Sequence, residues 1–315
     1  MKRYRDLNNY LKEMFGERIQ KIPLDAGLSC PNRDGTLSSK GCIFCDGRGS
    51  GTGAFLKKGL SIDEQISNAR EFLGKRYKAK KFIAYFQSFS NTYASVSRLK
   101  NLYDQAMAHN DVVGLSVATR PDCVSPDIFR LLSSYKKDGL VWLEFGLQSI
   151  HDKTLELINR GHDAECFRQS VLAASEYGLD VCAHVILGLP GEDRDMMLQT
   201  AHFISLLPIQ GIKIHLLYVV EGTPLADLYN AGEFRSLDQK EYVETVSDFL
   251  ELLPPEMVIH RLTGDPVETE LIAPKWAREK TRTLIMINEL LERKNTWQGR
   301  LYSKKGHLLS GEEES

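Results

Sequence analysis

The sequence predicts an α/β fold in which a parallel β-sheet is connected by helical crossovers. Apolar, strand-like runs alternate with segments of helical periodicity about six times along the chain, which is the pattern of successive βα units. The strand-like runs are apolar on both faces, as strands buried between two layers are. The alternation fits a barrel-like sheet and a doubly wound open sheet alike, and in both forms functional groups collect at the carboxyl ends of the strands.

Local signals mark the ends of these elements. Ser61 and Glu64 have the spacing of a capping box, Ser125 followed by Pro126 indicates a helix start, and Gly178 indicates a helix end. The predicted strands are 18–24, 81–87, 112–118, 140–147, 180–188 and 211–220. The predicted helices are 6–15, 61–77, 95–109, one from Pro126, a short one from 151, 164–177, 193–207 and 238–253.

Beyond residue 253 the alternation stops. Residues 257–262 have the composition of one further strand, and residues 275–294 are predicted to form a helix with a basic face. The tail at 303–315 is predicted to be disordered. No linker rich in proline, glycine or serine marks a domain boundary.

Composition bounds the class of protein. The 315 residues are 42% hydrophobic, which is enough for a sizeable core, and no apolar run is long enough for a transmembrane helix. The N-terminal stretch is charged and has no apolar signal core, so we expect a cytoplasmic protein with reduced thiols and no membrane partner. The net charge of −2 creates no global field toward nucleic acid.

Two local runs are nevertheless basic. Residues 75–81 carry five positive charges in seven positions, and residues 272–305 carry nine Lys or Arg against three Glu, with Trp276, Trp297 and Tyr302 among them. Basic residues interleaved with aromatic ones are typical of nucleic-acid binding. For either run taken alone, a solvated helix face is the better interpretation.

The most distinctive stretch runs from Cys30 to Cys45 and is called the cysteine loop below. It holds three of the six cysteines, spaced C-x11-C-x2-C. Thiolates are the ligands that iron–sulfur clusters and zinc select, and three of them would leave one iron of a [4Fe–4S] cluster open. The spacing alone leaves three interpretations open: an open cluster, a zinc site completed by a distant residue, and unrelated thiols.

The other predicted strands also end in polar or Gly/Pro-rich segments. These segments are Gln87–Thr92, Thr119–Asp122, Glu144–Ser149, Gly188–Glu192 and Glu221–Pro224. Because the carboxyl ends of parallel strands share one edge of a sheet, we expect these segments to surround the cysteine loop and to form one site.

Several of these segments resemble one family. Cys42-Ile-Phe-Cys45 is similar to the second half of the cluster motif of radical S-adenosylmethionine enzymes, with its aromatic residue before the last cysteine. The branch that contains the Elongator catalytic subunit and the oxygen-independent coproporphyrinogen oxidases has segments similar to four others. These are Ala118–Asp122, Glu144–Ser149, Ile186–Gly191 and Gly222–Leu225. The resemblance covers about residues 15–260 and is greatest to the bacterial YhcC/YtqA-type family, which is also matched by Tyr85–Tyr93 and His260–Asp265.

The chain departs from the family pattern in two places. The first gap of the cysteine motif has eleven residues where the family usually has three, which leaves the conformation of the loop open. The family's Gly-Gly-Glu after the second strand is absent, and Gln87, Ser88 and Asn91 occupy that zone.

The resemblance implies a fold and a chemistry. It implies a partial (β/α)6 TIM-type barrel with a small C-terminal extension, divided into an N-terminal helix (1–16), a core (17–255) and an extension (256–315). It implies that Cys30, Cys42 and Cys45 hold a [4Fe–4S] cluster whose fourth iron binds S-adenosylmethionine. Reductive cleavage would then give a 5′-deoxyadenosyl radical that abstracts hydrogen from substrate.

The resemblance also implies cofactor contacts. The residues expected to bind S-adenosylmethionine are Phe44, Gln87, Ser88, Glu144, Gln148, Ile186 and Val219. For Glu144 the alternative is a structural ion pair. The catalytic candidates are Lys213, His215 and Arg120; the alternatives are a core histidine for His215 and a salt bridge to Asp122 for Arg120.

The Elongator-like resemblance points to tRNA as substrate, with the wobble uridine side chain as the target. Two alternatives stay open, namely a radical enzyme with a small-molecule substrate and a zinc-stabilised RNA-binding module without chemistry. A radical enzyme would need an electron donor, for which a small protein such as flavodoxin or ferredoxin is expected.

Overall fold

The helices and strands of the computed structural model follow the predicted alternation. The structure describes residues 2–49 and 59–303. The strands are β1 Ile19–Leu24, β2 Lys81–Phe86, β3 Val112–Thr119, β4 Leu140–Gln148, β5 Asp180–Leu187, β6 Gly211–Leu216, β7 Val219–Val220, β8 Val258–Arg261 and β9 Leu271–Ala273. The predicted disorder of 303–315 concerns residues that, from 304 onward, lie outside the described ranges.

The helices begin and end close to their sequence signals. They are α1 Leu7–Phe15, α2 Ile62–Tyr77, α3 Val96–Met107, α4 Pro126–Ser134, α5 Asp152–Leu157, α6 Ala164–Glu176, α7 Arg194–Ser205, α8 Pro224–Asn230, α9 Gln239–Leu252 and α10 Lys280–Arg293. The Ser61–Glu64 capping box forms as predicted, with both reciprocal hydrogen bonds. The basic C-terminal helix is shorter than expected, because a 3₁₀ turn at Lys275–Arg278 precedes α10.

Seven strands form one parallel sheet in the order β1-β2-β3-β4-β5-β6-β8. Six of them come from consecutive βα units, which confirms the predicted barrel-type α/β architecture. The seventh, β8, confirms that residues 257–262 contain a further strand, and it joins the sheet beside β6.

The predicted strand at 211–220 is wrong in its second half. Strand β6 ends at Leu216, and the chain then leaves the sheet. The reason is the neighbouring strand: β5 ends at Leu187, so after Leu217 donates to the Leu187 carbonyl there is no further edge to pair with. Val219 and Val220 instead pair antiparallel with β9, outside the main sheet.

The sheet curls until its two edge strands approach each other. In a flat sheet, six inter-strand spacings would place β1 and β8 roughly 29 Å apart. Yet Lys21 Nζ on β1 lies 3.5 Å from His260 Nδ1 on β8. The sheet is therefore a partial barrel with an interior, and Asp6 and the N-terminal segment run parallel beside β8 at the opening.

The main core lies between the outer face of this sheet and the surrounding helices. The C-terminal extension contributes to it, because Ile287 and Leu291 of α10 are fully buried against the rest of the protein. Removing the extension would therefore expose part of the core.

No helix within the described ranges has the length and apolar character needed to cross a membrane.

The close packing of β3 against β4 can be tested by substituting one glycine. A Cβ added to Gly114 in β3 would lie 2.4 Å from the backbone oxygen of Leu140, so the two strands would have to separate. We expect Gly114→Ala to lower the free energy of unfolding by about 1–3 kcal/mol in a denaturant titration.

The matched control is Gly74 in α2, where a Cβ meets nothing closer than 3.8 Å. There the helix preference of alanine should raise the free energy of unfolding by about 0.5–1 kcal/mol. Equal changes in the free energy of unfolding for the two substitutions would contradict the close packing of β3 against β4.

Candidate functional site

One cavity of about 240 Å³, called the central pocket below, opens at the carboxyl ends of the strands. Its wall includes the cysteines Cys30, Cys42 and Cys45, and its floor lies inside the barrel. The polar residues that line it include Asn32, Arg33, Gln87, Ser88, Arg120, Glu144, Gln148, Arg160, His184, Lys213, His215 and Arg261. The structure thus brings the strand-end segments together at one site, as the sequence predicts.

The eleven residues between Cys30 and Cys42 form an ordered, docked loop. The amide of Arg33 donates to the Cys30 carbonyl (2.8 Å) and that of Gly41 to the Asn32 carbonyl (2.7 Å). The side chain of Asn159, which follows α5, donates to the Gly41 carbonyl (2.6 Å). Gly41 needs to be glycine, since its φ is +74° and a Cβ would lie 2.8 Å from the Arg33 guanidinium. The long gap therefore brings Asn32 and Arg33 against the cysteines.

The spacing of the three sulfurs distinguishes a cluster from a single ion. Around one tetrahedral zinc, thiolate sulfurs lie about 3.8 Å apart. Among the residues the structure describes, the one set of ligand-type groups mutually within 4.8 Å is Glu144, Cys182 and His184. The sulfurs of the cysteine loop do not form such a set, so at least one pair is farther apart than a single ion allows. Ligands spread in this way suit a larger, multi-iron group.

The surroundings of Cys42 fit such a group as well. The Asn32 side-chain amide lies 3.6 Å, and a guanidinium nitrogen of Arg160 3.8 Å, from Cys42 Sγ, both as donors. Within the part of the chain that the structure describes, Asn32 Oδ1 and Arg160 Nε are buried without a hydrogen-bond partner, which leaves hydrogen-bonding capacity at the pocket wall. Donors aimed at a coordinating sulfur are the usual outer contacts of iron–sulfur ligands. The residues present therefore fit a [4Fe–4S] cluster.

Below the cysteines, a polar layer crosses the barrel interior. Its members are Lys21, Tyr85, Ser116, Glu144, His184, Lys213 and His260. At its centre Glu144 has no solvent exposure and accepts from Lys21 (2.7 Å), His184 Nε2 (2.6 Å), Lys213 and Ser116. These contacts correspond to the ion-pair alternative for Glu144, although its side chain also reaches the central pocket.

The charges in this layer follow from its contacts. Burial alone would raise the pKa of Glu144, but the positive charges of Lys21 and Lys213 and the hydrogen bond from His184 outweigh burial and hold that pKa well below its usual value. Burial, reinforced by Lys213, lowers the pKa of His184 to about 4. Glu144 is therefore ionised and His184 neutral at pH 7.

The Glu144–Cys182–His184 set is better described as an ion-pair centre than as a metal site. Two lysine ammonium groups already contact the carboxylate. Burial raises the pKa of the Cys182 thiol, which is therefore uncharged at neutral pH.

The structure brings most of the predicted cofactor contacts to the pocket. Phe44, Gln87, Ser88, Gln148 and Ile186 line it, together with Glu144. Val219 does not: its side chain is fully buried in a second apolar cluster, and the neighbouring Val220 lines the pocket instead.

The three catalytic candidates differ in the contacts that their side chains already make. Lys213 and His215 face the pocket from β6. Arg120 also lines it, but its guanidinium donates to both carboxylate oxygens of Asp122 (2.8 and 2.7 Å) and to the Arg160 carbonyl (2.7 Å). The salt-bridge alternative for Arg120 is therefore present in the structure.

The two basic runs lie mostly away from the pocket or are already paired. Residues 75–81 span the end of α2 and the start of β2, at the amino-terminal edge of the sheet. In the C-terminal run, Lys280 pairs with Asp265 and Lys294 with Asp248, each at the protein surface. These pairs leave the C-terminal face less positive than its count of basic residues suggests.

Sequence reasoning missed four polar residues of the site. Asn32 and Arg160 contact Cys42, Lys21 contacts Glu144, and Arg261 lines the pocket. Lys21 had a detectable signal, because a lysine in the middle of strand β1 requires a partner where the strand is buried. Asn32 and Arg160 are separated by more than a hundred residues, and no local sequence signal indicates that both side chains reach Cys42.

Comparison with known proteins agrees with this geometry. The model of the Radical SAM superfamily matches residues 35–204, and that of the Radical_SAM C-terminal domain matches residues 209–293. The chain is 43% identical over 307 residues to the uncharacterized protein YtqA of Bacillus subtilis (strain 168), covering 96% of this chain and 94% of YtqA. These matches confirm the resemblance drawn from the sequence motifs.

Two further matches are more distant and cover only part of the matched chain. A tRNA uridine(34) acetyltransferase of Methanocaldococcus infernus is 29% identical over 170 residues, which are 52% of this chain and 31% of that protein. The solved structure of the archaeal Methanocaldococcus infernus Elp3 superposes with a TM-score of 0.64 at 19% identity, over 89% of this chain and 64% of that one. That structural likeness shows a shared fold.

The neutral His184 makes stability depend on pH. In the unfolded chain its pKa is 6.5, and in the folded protein about 4, so only the unfolded state gains a proton between these values. Stability is thus lost as the pH falls from about 6.5 toward 4, by roughly 1 kcal/mol for this histidine between pH 7 and 5.5. Urea titrations of His184→Gln, which keeps a donor to Glu144 but does not titrate, should show a pH dependence smaller by that amount. An unchanged pH dependence would mean that His184 is not held neutral.

Proposed function

Because the chain belongs to the radical S-adenosylmethionine superfamily, we propose that it modifies tRNA at the wobble uridine side chain by radical chemistry. The protein is a radical S-adenosylmethionine enzyme, and its cofactors are a [4Fe–4S] cluster and S-adenosylmethionine. The observation that carries the radical chemistry in this proposal is that Cys30, Cys42 and Cys45 line one pocket.

We assign the cluster to these three cysteines. When bound, the cluster supplies the electron that cleaves S-adenosylmethionine and so generates the radical that attacks substrate. Asn32 and Arg160 donate toward Cys42 Sγ, and such donors stabilise electron density on a coordinating sulfur. The pocket wall around them shields the reacting groups from bulk water.

The lining residues have separate roles in this proposal. Phe44 and Ile186 provide apolar contact for the adenine, while Gln87, Ser88 and Gln148 offer hydrogen bonds to the methionine end. Val219 is left without a direct role, since Val220 occupies the pocket wall.

For Glu144 the contacts favour a positioning role. The carboxylate holds Lys21 and Lys213, and direct binding of cofactor would require it to release one of them. Lys213 and His215 then remain as the candidates that face substrate, and Arg120 is held by Asp122.

The choice of tRNA is supported by the relatives. A protein named tRNA uridine(34) acetyltransferase shares 29% identity over 52% of this chain. Because this chain covers only 31% of that protein, the shared segment supports a related substrate and carries no other part of its activity. Part of the C-terminal face is already paired, and the cysteine loop offers a further basic group in the exposed Lys40, two residues before Cys42.

The proposal also covers the domain organisation, the cellular location and the electron donor. We propose residues 17–255 as the catalytic core, with 1–16 as an N-terminal helix and 256–315 as an extension that includes β8, β9 and α10. We place the protein in the cytoplasm, where the cluster thiols stay reduced. A small protein such as flavodoxin or ferredoxin is the proposed electron donor.

The cluster assignment can be tested directly. Anaerobic reconstitution should give roughly four irons per chain and broad absorption at about 400 nm, and Cys42→Ala should lose both. The matched control is Cys166→Ala on α6, which should retain them. Stoichiometric zinc in place of iron, or an unchanged iron content in Cys42→Ala, would contradict the assignment.

The substrate can be tested in cells that lack the gene. Their tRNA nucleosides should lose a wobble-uridine derivative and accumulate its precursor, as measured by liquid chromatography and mass spectrometry. Complementation with the wild type or Cys166→Ala should restore the derivative, and Cys42→Ala should not. Identical nucleoside profiles in all strains would contradict tRNA modification and favour a small-molecule substrate.

A further inference from the structure

The floor of the central pocket carries more positive than negative charge. Lys21, Lys213 and Arg261 are basic, and Glu144 is the carboxylate that contacts this set among the residues described. Acidic groups nearer the pocket mouth are taken by other partners: Asp46 and Glu270 pair with Arg48, and Asp265 with Lys280. A net positive charge among buried groups is costly unless an anion accompanies it.

A β-bulge explains how Arg261 comes to face the interior. Ile212 pairs with Ile259, but the next residue, Lys213, pairs with Arg261, so His260 is an extra residue in β8. His260 contacts the polar layer and the ring of Trp142, and yet its neighbour Arg261 also lines the pocket. Strict alternation would send one of two consecutive side chains outward, and a bulge re-aims it.

The guanidinium of Arg261 has no partner among the residues that the structure describes. Within residues 2–49 and 59–303, no hydrogen bond or ion pair to its side chain is present, whereas Arg33, Arg48, Arg120 and Arg160 each have at least one. Arg261 lines the central pocket together with Tyr85, Lys213 and His215. A half-buried guanidinium with five unused donors is suited to an oxygen anion.

We propose that Arg261 and Lys213 bind the anionic oxygen group, a carboxylate or a terminal phosphate, of a small co-substrate that occupies the pocket floor. This inference rests on the proposed function and adds a second, small reactant to the same pocket. A backbone phosphate of RNA does not suit the site, because it would have to bring chain on both sides into a cavity of about 240 Å³. A terminal group enters such a cavity end-on.

The test uses the anaerobically reconstituted enzyme and two probes, sodium acetate and inorganic phosphate. Calorimetric titrations are run at constant ionic strength set with sodium chloride, with and without saturating S-adenosylmethionine. We expect saturable binding of at least one probe in both conditions. Arg261→Gln should weaken it roughly tenfold, and Arg261→Lys, which keeps the charge without the bidentate fork, should weaken it less. The control is Arg293→Gln on exposed α10, which should bind like the wild type.

The preferred probe identifies the source of the anion as a carboxylate or a phosphate. Three results would overturn the inference: no saturable binding of either probe, equal binding by wild type and Arg261→Gln, or complete loss of probe binding when S-adenosylmethionine is present. The last result would assign the site to the carboxylate of that cofactor. Cluster content and cofactor binding are measured on the same samples, and their absence in the wild type contradicts the proposed function, whereas their presence without probe binding contradicts this inference alone.

Discussion

The buried carboxylate of Glu144 is the interaction on which the barrel interior depends. Lys21 reaches it from β1, Ser116 from β3, His184 from β5 and Lys213 from β6, so that one side chain on β4 connects five of the seven strands. Its removal would leave two ammonium groups without their partner, and breaking a buried pair of this kind costs about 3–5 kcal/mol. The curl of the sheet and the geometry of the pocket floor are thus held by the same contacts.

This polar layer divides the barrel into two unequal parts. Below it, toward the amino-terminal edge, Ile19, Ile83, Trp142 and Cys182 fill the interior as an apolar cluster. Above it the interior is open and forms the central pocket under the cysteine loop. The layer therefore forms the floor of the central pocket and separates it from the apolar cluster.

The cysteine loop shows how an unusual spacing can serve a familiar chemistry. Its long first gap docks through Gly41 and Asn159 and brings the amide of Asn32 to Cys42. At the mouth, Arg48 pairs with Asp46 of the loop region and with Glu270, next to β9. The C-terminal extension is in this way joined to the loop by charge, in addition to contributing β8 to the sheet and α10 to the core.

Much of the fold was predictable because its signals are local. The capping box at Ser61, the proline at Pro126 and the apolar runs of the strands each act within a few residues, and the structure places elements where they predict them. The end of β6 was not predictable, since it depends on where β5 stops offering hydrogen bonds. The apolar residues after Leu216 look like strand whether or not a neighbour exists.

The sequence by itself determined the parallel α/β architecture, the order of the strand-end segments and the three cysteines, because periodicity and motif spacing are properties of neighbouring residues. The tertiary structure alone decided that Asn32 meets Cys42, that Glu144 is enclosed by lysines, and that a bulge in β8 turns Arg261 inward. Those contacts join residues far apart in the chain, and only the curling of the sheet brings them within reach of one another.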